Sequence, residues 1–101
     1  MKLLQEYKEK FAVKNPEEVV LCDLDLTDCD IPFANGWAAS VVNASWEGAK
    51  GKYSIMMCDF EGNFDSKILN EYGANNSQFF CNTEEGIIKI CDIIRNLPNN
   101  Y

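Results

Sequence analysis

The feature that most constrains the fold is an apolar stripe at helical spacing close to the C-terminal end of the chain. Its members recur three and four residues apart and are Ile87, Ile88, Cys91, Ile94 and Leu97. Asn82 or Thr83 stands in the position of a helix N-cap, and Pro98 follows the last turn. Because Ile90 and Ile93 widen the stripe, the sequence predicts a well-buried helix here.

A second helix is predicted over residues 2–13. Its apolar side chains form one stripe and are Leu3, Leu4, Tyr7 and Phe11. The pair Asn15-Pro16 ends the pattern, since the residue before a proline disfavours helical backbone. Helices are thus expected at both ends of the chain.

The residues between these helices carry strand and turn signals. Residues 19–26 alternate as in a strand, which places Asp23 and Asp25 together on its outward face. Residues 27–36 hold Pro32 and Asn35-Gly36 and are predicted as turn. Residues 37–46 fit either a helical stripe or a strand face; the glycine-rich segment and the apolar run after them favour a hairpin.

The rest of the middle region is predicted to continue the sheet. The predictions are a turn at 61–63, a candidate returning strand at 64–69, a loop at 71–77 and a short strand at 78–81. The fold class expected is a single α+β domain spanning residues 1–101. One mostly antiparallel sheet of four or five strands is packed by the N-terminal and C-terminal helices.

Residue types missing from the chain restrict its chemistry. There is no histidine, so a Ser-His or Cys-His nucleophile pair is impossible and the commonest general base is missing. The five cysteines form no CxxC pair and are expected to be reduced thiols. We therefore predict no metal site and no cofactor. Without a signal peptide or an apolar run of about 20 residues, we expect a cytoplasmic protein with no membrane contact.

Charge is distributed unevenly. The net charge is −7, and no basic residue lies between Lys14 and Lys50 although that interval holds seven acidic ones. The phosphates of nucleic acid would be repelled by such a surface, whereas a basic protein would be attracted to it. A purely solubilising role for the acidic residues is the alternative interpretation.

The acidic stretch also carries a catalytic resemblance. Residues 19–27, "VVLCDLDLT", resemble the first motif of haloacid-dehalogenase-type phosphotransferases, an apolar strand followed by Asp-x-Asp-x-Thr. The resemblance implies Asp23 as the nucleophile, Asp25 as the acid/base and Mg²⁺-assisted chemistry on a parallel α/β sheet. It covers nine residues, and Leu26 stands where that family commonly has glycine.

The interpretation we favour is an interaction surface. Acidic groups around aromatic anchors suit a Lys/Arg-rich partner. The residues predicted to bind it are Asp23, Asp25, Asp28, Asp30, Trp37 and Trp46. We expect a small, acidic, non-enzymatic inhibitor of a basic protein, an immunity protein blocking a toxin such as a nuclease. The alternatives are a phage-type anti-defence protein that mimics nucleic acid, and a small Mg²⁺-dependent phosphotransferase using Asp23 and Asp25.

Overall fold

The structure is a computed structural model that describes residues 2–13, 28–60, 63–64 and 67–100. The strand predicted at 19–26 lies outside these residues, as do positions 61 and 62 of the second predicted turn. The elements are α1 (Lys2–Phe11), β1 (Asp28–Pro32), β2 (Trp37–Asn43), β3 (Tyr53–Asp59), α2 (Lys67–Asn70), β4 (Phe79–Cys81) and α3 (Glu84–Arg95). No helix among these elements is long and apolar enough to span a bilayer.

The strands form one antiparallel sheet in the order β1-β2-β3-β4, so each strand pairs with its neighbour in the sequence. Residues 37–43 are strand, and the backbone hydrogen bond from Ala44 to Lys52 (2.8 Å) closes the β2–β3 hairpin. The hairpin prediction and the α+β class are therefore confirmed, with four strands among the described residues.

Two local predictions were wrong. The predicted turn at 27–36 contains β1, and of its described residues, 28–36, only 33–36 turn, closed by the hydrogen bond from Gly36 N to Phe33 O (3.1 Å). Burial of Ile31, which is fully inaccessible, outweighs the turn propensity of its aspartate and proline neighbours. Among the described residues of the candidate strand at 64–69, only Phe64 forms an isolated bridge, and a short helix from Lys67 places Leu69 in the core.

The core lies between one face of the sheet and the helices. Strand residues at alternating positions point into it: Ile31, Ala39, Val41, Ile55 and Met57. The predicted stripe of α3 meets them through Ile87, Cys91 and Ile94, all fully inaccessible. Helix α3 begins as predicted, because the Thr83 hydroxyl accepts a hydrogen bond from the backbone N–H of Gly86 (3.1 Å).

Helices α1 and α3 run side by side in the same direction. Near their first turns, the Leu4 backbone N–H donates to Glu84 Oε2 (2.8 Å). In the middle, the Tyr7 hydroxyl donates to Asp92 Oδ1 (2.7 Å), and burial together with this bond raises the pKa of Tyr7. At the far end, the Arg95 guanidinium lies 4.0 Å from the centre of the Phe11 ring. The first helix is thus fixed to the last.

Candidate protein-binding face

The side of the sheet opposite the helices is the candidate binding surface. Because Ala39 and Val41 point into the core, Ser40 and Val42 point the other way. The strand register continues this surface across the sheet. We call it the outer face and define it by Asp30, Ser40, Val42, Trp46, Met56 and Phe80; Ser54 lies on the same side but is buried, at 1% exposed.

Trp46 and Phe80 form the aromatic end of the outer face. Their ring centroids are 6.1 Å apart in an edge-to-face arrangement, and Trp46 is 47% exposed. The contact places Trp46 on this side because Phe80 pairs with Ser54, whose neighbour Ile55 points into the core. An amphipathic ring that is nearly half exposed on a half-buried aromatic support is suited to be an interface anchor.

The loop that carries Trp46 is held against β4. The Lys52 backbone N–H donates to Asn82 Oδ1 (3.0 Å), so the end of the loop is tied to the residue after the strand. A Cβ atom at Gly51 would lie 2.8 Å from the carbonyl oxygen of Cys81, which shows how closely the two backbones approach. These contacts fix the end of the loop that follows Trp46, and the Phe80 ring supports the Trp46 ring itself, so less entropy is lost on binding.

The acidic end of the outer face is on β1. Asp30 is half-buried there and pairs in register with Ser40, which in turn pairs with Met56. Since neighbouring strands are about 4.8 Å apart, β1 and β4 are separated by about 14 Å. Val42 and Met56, both half-buried, lie between the two ends. The face therefore changes from acidic through apolar to aromatic.

Cys58 lies on the same side of the sheet and is 5% exposed. Burial raises the pKa of its thiol to about 11, and the carboxylates of Asp30 and Asp59 add to the shift. The thiol is consequently protonated at neutral pH and a poor nucleophile. Burial also raises the pKa of Cys81. Among the described residues, no three cysteine or carboxylate side chains converge as metal ligands.

The structure divides the predicted binding residues among several places. Trp46 and Asp30 share the outer face, whereas Trp37 is 7% exposed and belongs to the core on the helix side. The two tryptophans therefore lie on opposite sides of the sheet. Asp28 begins β1 and its backbone pairs with Val42; Asp23 and Asp25 lie outside the described residues.

Sequence reasoning missed Phe80, Val42 and Met56 as members of the candidate surface. The signal available was strand alternation within residues 78–81. Phe79 packs against the core, so Phe80 must point to the opposite side of the sheet. Consecutive residues of a strand point to opposite faces of the sheet. When helices cover one face, one residue of an aromatic pair must therefore lie on the face without helices.

No family model matches the chain, and comparisons with curated proteins and with solved structures find no match either.

Proposed function

We propose that the chain is a small, non-enzymatic inhibitor that binds a basic protein partner through its outer face. The observation that carries the proposal is a 47% exposed Trp46 packed on Phe80 of β4, with an acidic end on β1, a strand about 14 Å from β4 across half-buried apolar side chains. Interfaces gain most of their affinity from a few buried aromatic anchors, while surrounding charges select the partner and speed its approach.

Charge supports a basic partner. The chain carries a net charge of −7, and Asp30 lies in the long interval without lysine or arginine. A protein surface rich in those residues would be attracted from a distance. A nuclease cleft is such a surface because it has to hold phosphates. An immunity protein that blocks a nuclease toxin is therefore the activity we favour.

A phage-type anti-defence protein that mimics the charge of nucleic acid would use the same physics against a different partner. Blocking of a purified toxin, as opposed to a host defence nuclease, distinguishes the two. The phosphotransferase alternative ranks lower: its resemblance implies parallel strands joined by crossover helices, whereas the described strands are antiparallel neighbours in chain order.

The test begins with affinity capture of the partner from the native cell, followed by binding and activity assays with the purified partner. We expect wild-type protein to bind the partner and inhibit its activity. Trp46→Ala should lose most of the affinity, because it removes the anchor without removing a core side chain. Leu3→Ala, a truncation of a 42% exposed side chain on α1, is the matched control and should bind like wild type. Equal binding by both variants would refute the outer face as the docking surface.

A further inference from the structure

Tyr72 is an exposed aromatic residue that the outer face does not include. It follows α2, is 50% exposed, and lies between two grooves of about 230 and 260 Å³. Asp92 and Ile93 line the first groove, Trp37 and Glu71 line the second, and Leu97 is shared by both. The small exposed part of Trp37 is therefore directed to a surface distinct from that of Trp46.

The backbone around Tyr72 is fixed by a buried anchor. Leu69 is fully inaccessible, and its carbonyl oxygen accepts hydrogen bonds from the backbone N–H groups of Tyr72 (2.9 Å) and Ala74 (3.1 Å). The Asn70 side chain accepts a further bond from the Ser77 N–H (2.9 Å). Tyr72 is consequently presented by a turn that is held on both sides.

The charged residues that line the two grooves are both acidic. Glu71 lines one groove and Asp92 the other, and among the described residues no lysine or arginine lines either. Asp92 Oδ1 is paired with Arg95 (3.2 Å) and accepts the Tyr7 hydroxyl. The Asp92 charge is therefore partly neutralised by Arg95, and the exposed Glu71 carboxylate provides most of the negative charge at the grooves.

We infer that the grooves around Tyr72 form a receptor for an arginine side chain of a partner protein. The Tyr72 ring offers a π-face to the guanidinium, Glu71 offers an opposite charge, and Trp37 with Leu97 offers apolar contact to the methylene groups. Arginine suits the site better than lysine, because its planar and weakly hydrated guanidinium stacks on aromatic rings. This inference does not depend on the outer face being a docking surface.

The test uses Trp37 as a built-in reporter. The chain has two tryptophans, so Trp46→Phe leaves Trp37 as the only indole and keeps an aromatic ring against Phe80. This variant is titrated with N-acetyl-arginine amide, and with the neutral N-acetyl-citrulline amide at matched ionic strength. We expect a saturable change of Trp37 fluorescence with the arginine compound and little change with citrulline.

Further variants assign the contacts. In the same background, Tyr72→Ala should weaken binding about fivefold or more, while Tyr72→Phe, which keeps the ring, should stay within about twofold of the parent. Glu71→Gln should weaken binding of the arginine compound, and Glu85→Gln, on the exposed surface of α3, should not. Circular dichroism checks that each variant is folded. Equal responses to arginine and citrulline, or equal binding by the Tyr72→Ala and Tyr72→Phe variants, would overturn the inference. Should Tyr72→Ala unfold, the Glu71→Gln titration still decides it, because unchanged affinity there contradicts the proposed charge contact.

Discussion

The side-chain amide of Asn35 donates a 2.8 Å hydrogen bond to the carbonyl oxygen of Ile94 in the last turn of α3. The same amide nitrogen lies 3.1 Å from the carbonyl oxygens of Arg95 and Leu97, and Asn35 Oδ1 accepts the backbone N–H of Trp37 (3.1 Å). Asn35 is 6% exposed. One side chain in the β1–β2 turn therefore provides a donor for the Arg95 and Leu97 carbonyl groups at the helix end, and it adds a bond to Ile94 O, which also accepts the Leu97 backbone N–H (3.2 Å).

Removal of this amide should be costly. Asn35→Ala leaves several nearly buried backbone groups without partners, at about 1–3 kcal/mol each, so we expect a loss of roughly 3 kcal/mol in the free energy of unfolding. Urea denaturation at pH 7 measures it. Asn35→Asp should be more damaging at pH 7 than at pH 5, because its carboxylate faces helix carbonyls and must be protonated to donate. The exposed Asn99 is the control: Asn99→Ala should change stability by less than about 0.5 kcal/mol.

Gly86 should resist a substitution that usually stabilises helices. Glycine to alanine inside a helix typically gains about 1 kcal/mol. Here an added Cβ would lie 2.8 Å from the Cβ of Cys81, which has no flexible end to move away. We expect Gly86→Ala to lose about 1–3 kcal/mol in thermal or urea unfolding. Combining it with Cys81→Gly should recover part of the loss in a double-mutant cycle; additive effects would contradict the steric explanation.

Alkaline pH should destabilise the fold through Cys58. Its pKa is about 11 in the folded protein against an ordinary value of 9.0, so the unfolded chain loses the proton first. The stabilisation is complete below pH 9 and is lost as pH rises from 9 through 11, with a total of about 2–3 kcal/mol. Urea unfolding of wild type and Cys58→Ala at pH 8 and 11 under reducing conditions tests this.

Between pH 8 and pH 11, the free energy of unfolding should fall less in the Cys58→Ala variant than in wild type. Tyr7 acts with the same sign, because its pKa is raised in the folded protein, but its effect begins only above pH 10. Tyr7→Phe is therefore the control that separates the two groups. If the free energy of unfolding fell equally in Cys58→Ala and wild type, a group other than Cys58 would be responsible for the alkaline instability.

The two tryptophans should respond to truncation in opposite ways. Trp37 is packed in the core, so Trp37→Ala should cost about 3–5 kcal/mol of stability. Trp46→Ala should cost about 1 kcal/mol or less, because the ring is 47% exposed and makes an edge-to-face contact with Phe80. Chemical denaturation compares them directly, and similar losses would contradict their placement on opposite sides of the sheet.

Asp30 should act on the rate of association with the partner. If its carboxylate lies at the rim of the interface, Asp30→Asn should lower the association rate and flatten its salt dependence while leaving dissociation nearly unchanged. Surface plasmon resonance at two salt concentrations measures both rates. A change confined to dissociation would instead place Asp30 inside the desolvated part of the interface.

The elements predicted correctly carry their own local signals. Helix α3 has a capping threonine, a stripe of isoleucines and a following proline, and the β2–β3 hairpin has a glycine-rich loop between apolar segments. Residues 28–32 were missed because aspartate and proline favour turns, whereas pairing with β2 and burial of Ile31 favour a strand. Those tertiary interactions are not visible in local composition.

The candidate surface was only partly predictable. Strand alternation indicates that Trp37 and Ala38 face opposite ways, but which of them faces the helices depends on how the sheet packs. Likewise, Trp46 lies in a loop, and its position on Phe80 follows from the loop's contacts with β4. No sequence pattern indicated that Tyr72 is exposed. Its exposure depends on the short helix α2, whereas residues 64–69 were expected to form a strand.

The contact between the first and last helices determines the order in which the fold can be completed. Leu4 and Glu84 are 80 residues apart in the chain, whereas each strand pairs with its sequence neighbour. Closing a loop of that length costs about 4 kcal/mol of chain entropy. The pairing of neighbouring strands closes shorter loops, so the sheet is expected to form before the two helices meet. On a ribosome, α1 leaves the exit tunnel long before its partner has been synthesised. The apolar stripe of α1 therefore stays accessible to chaperones and proteases until α3 has been synthesised and packs against it.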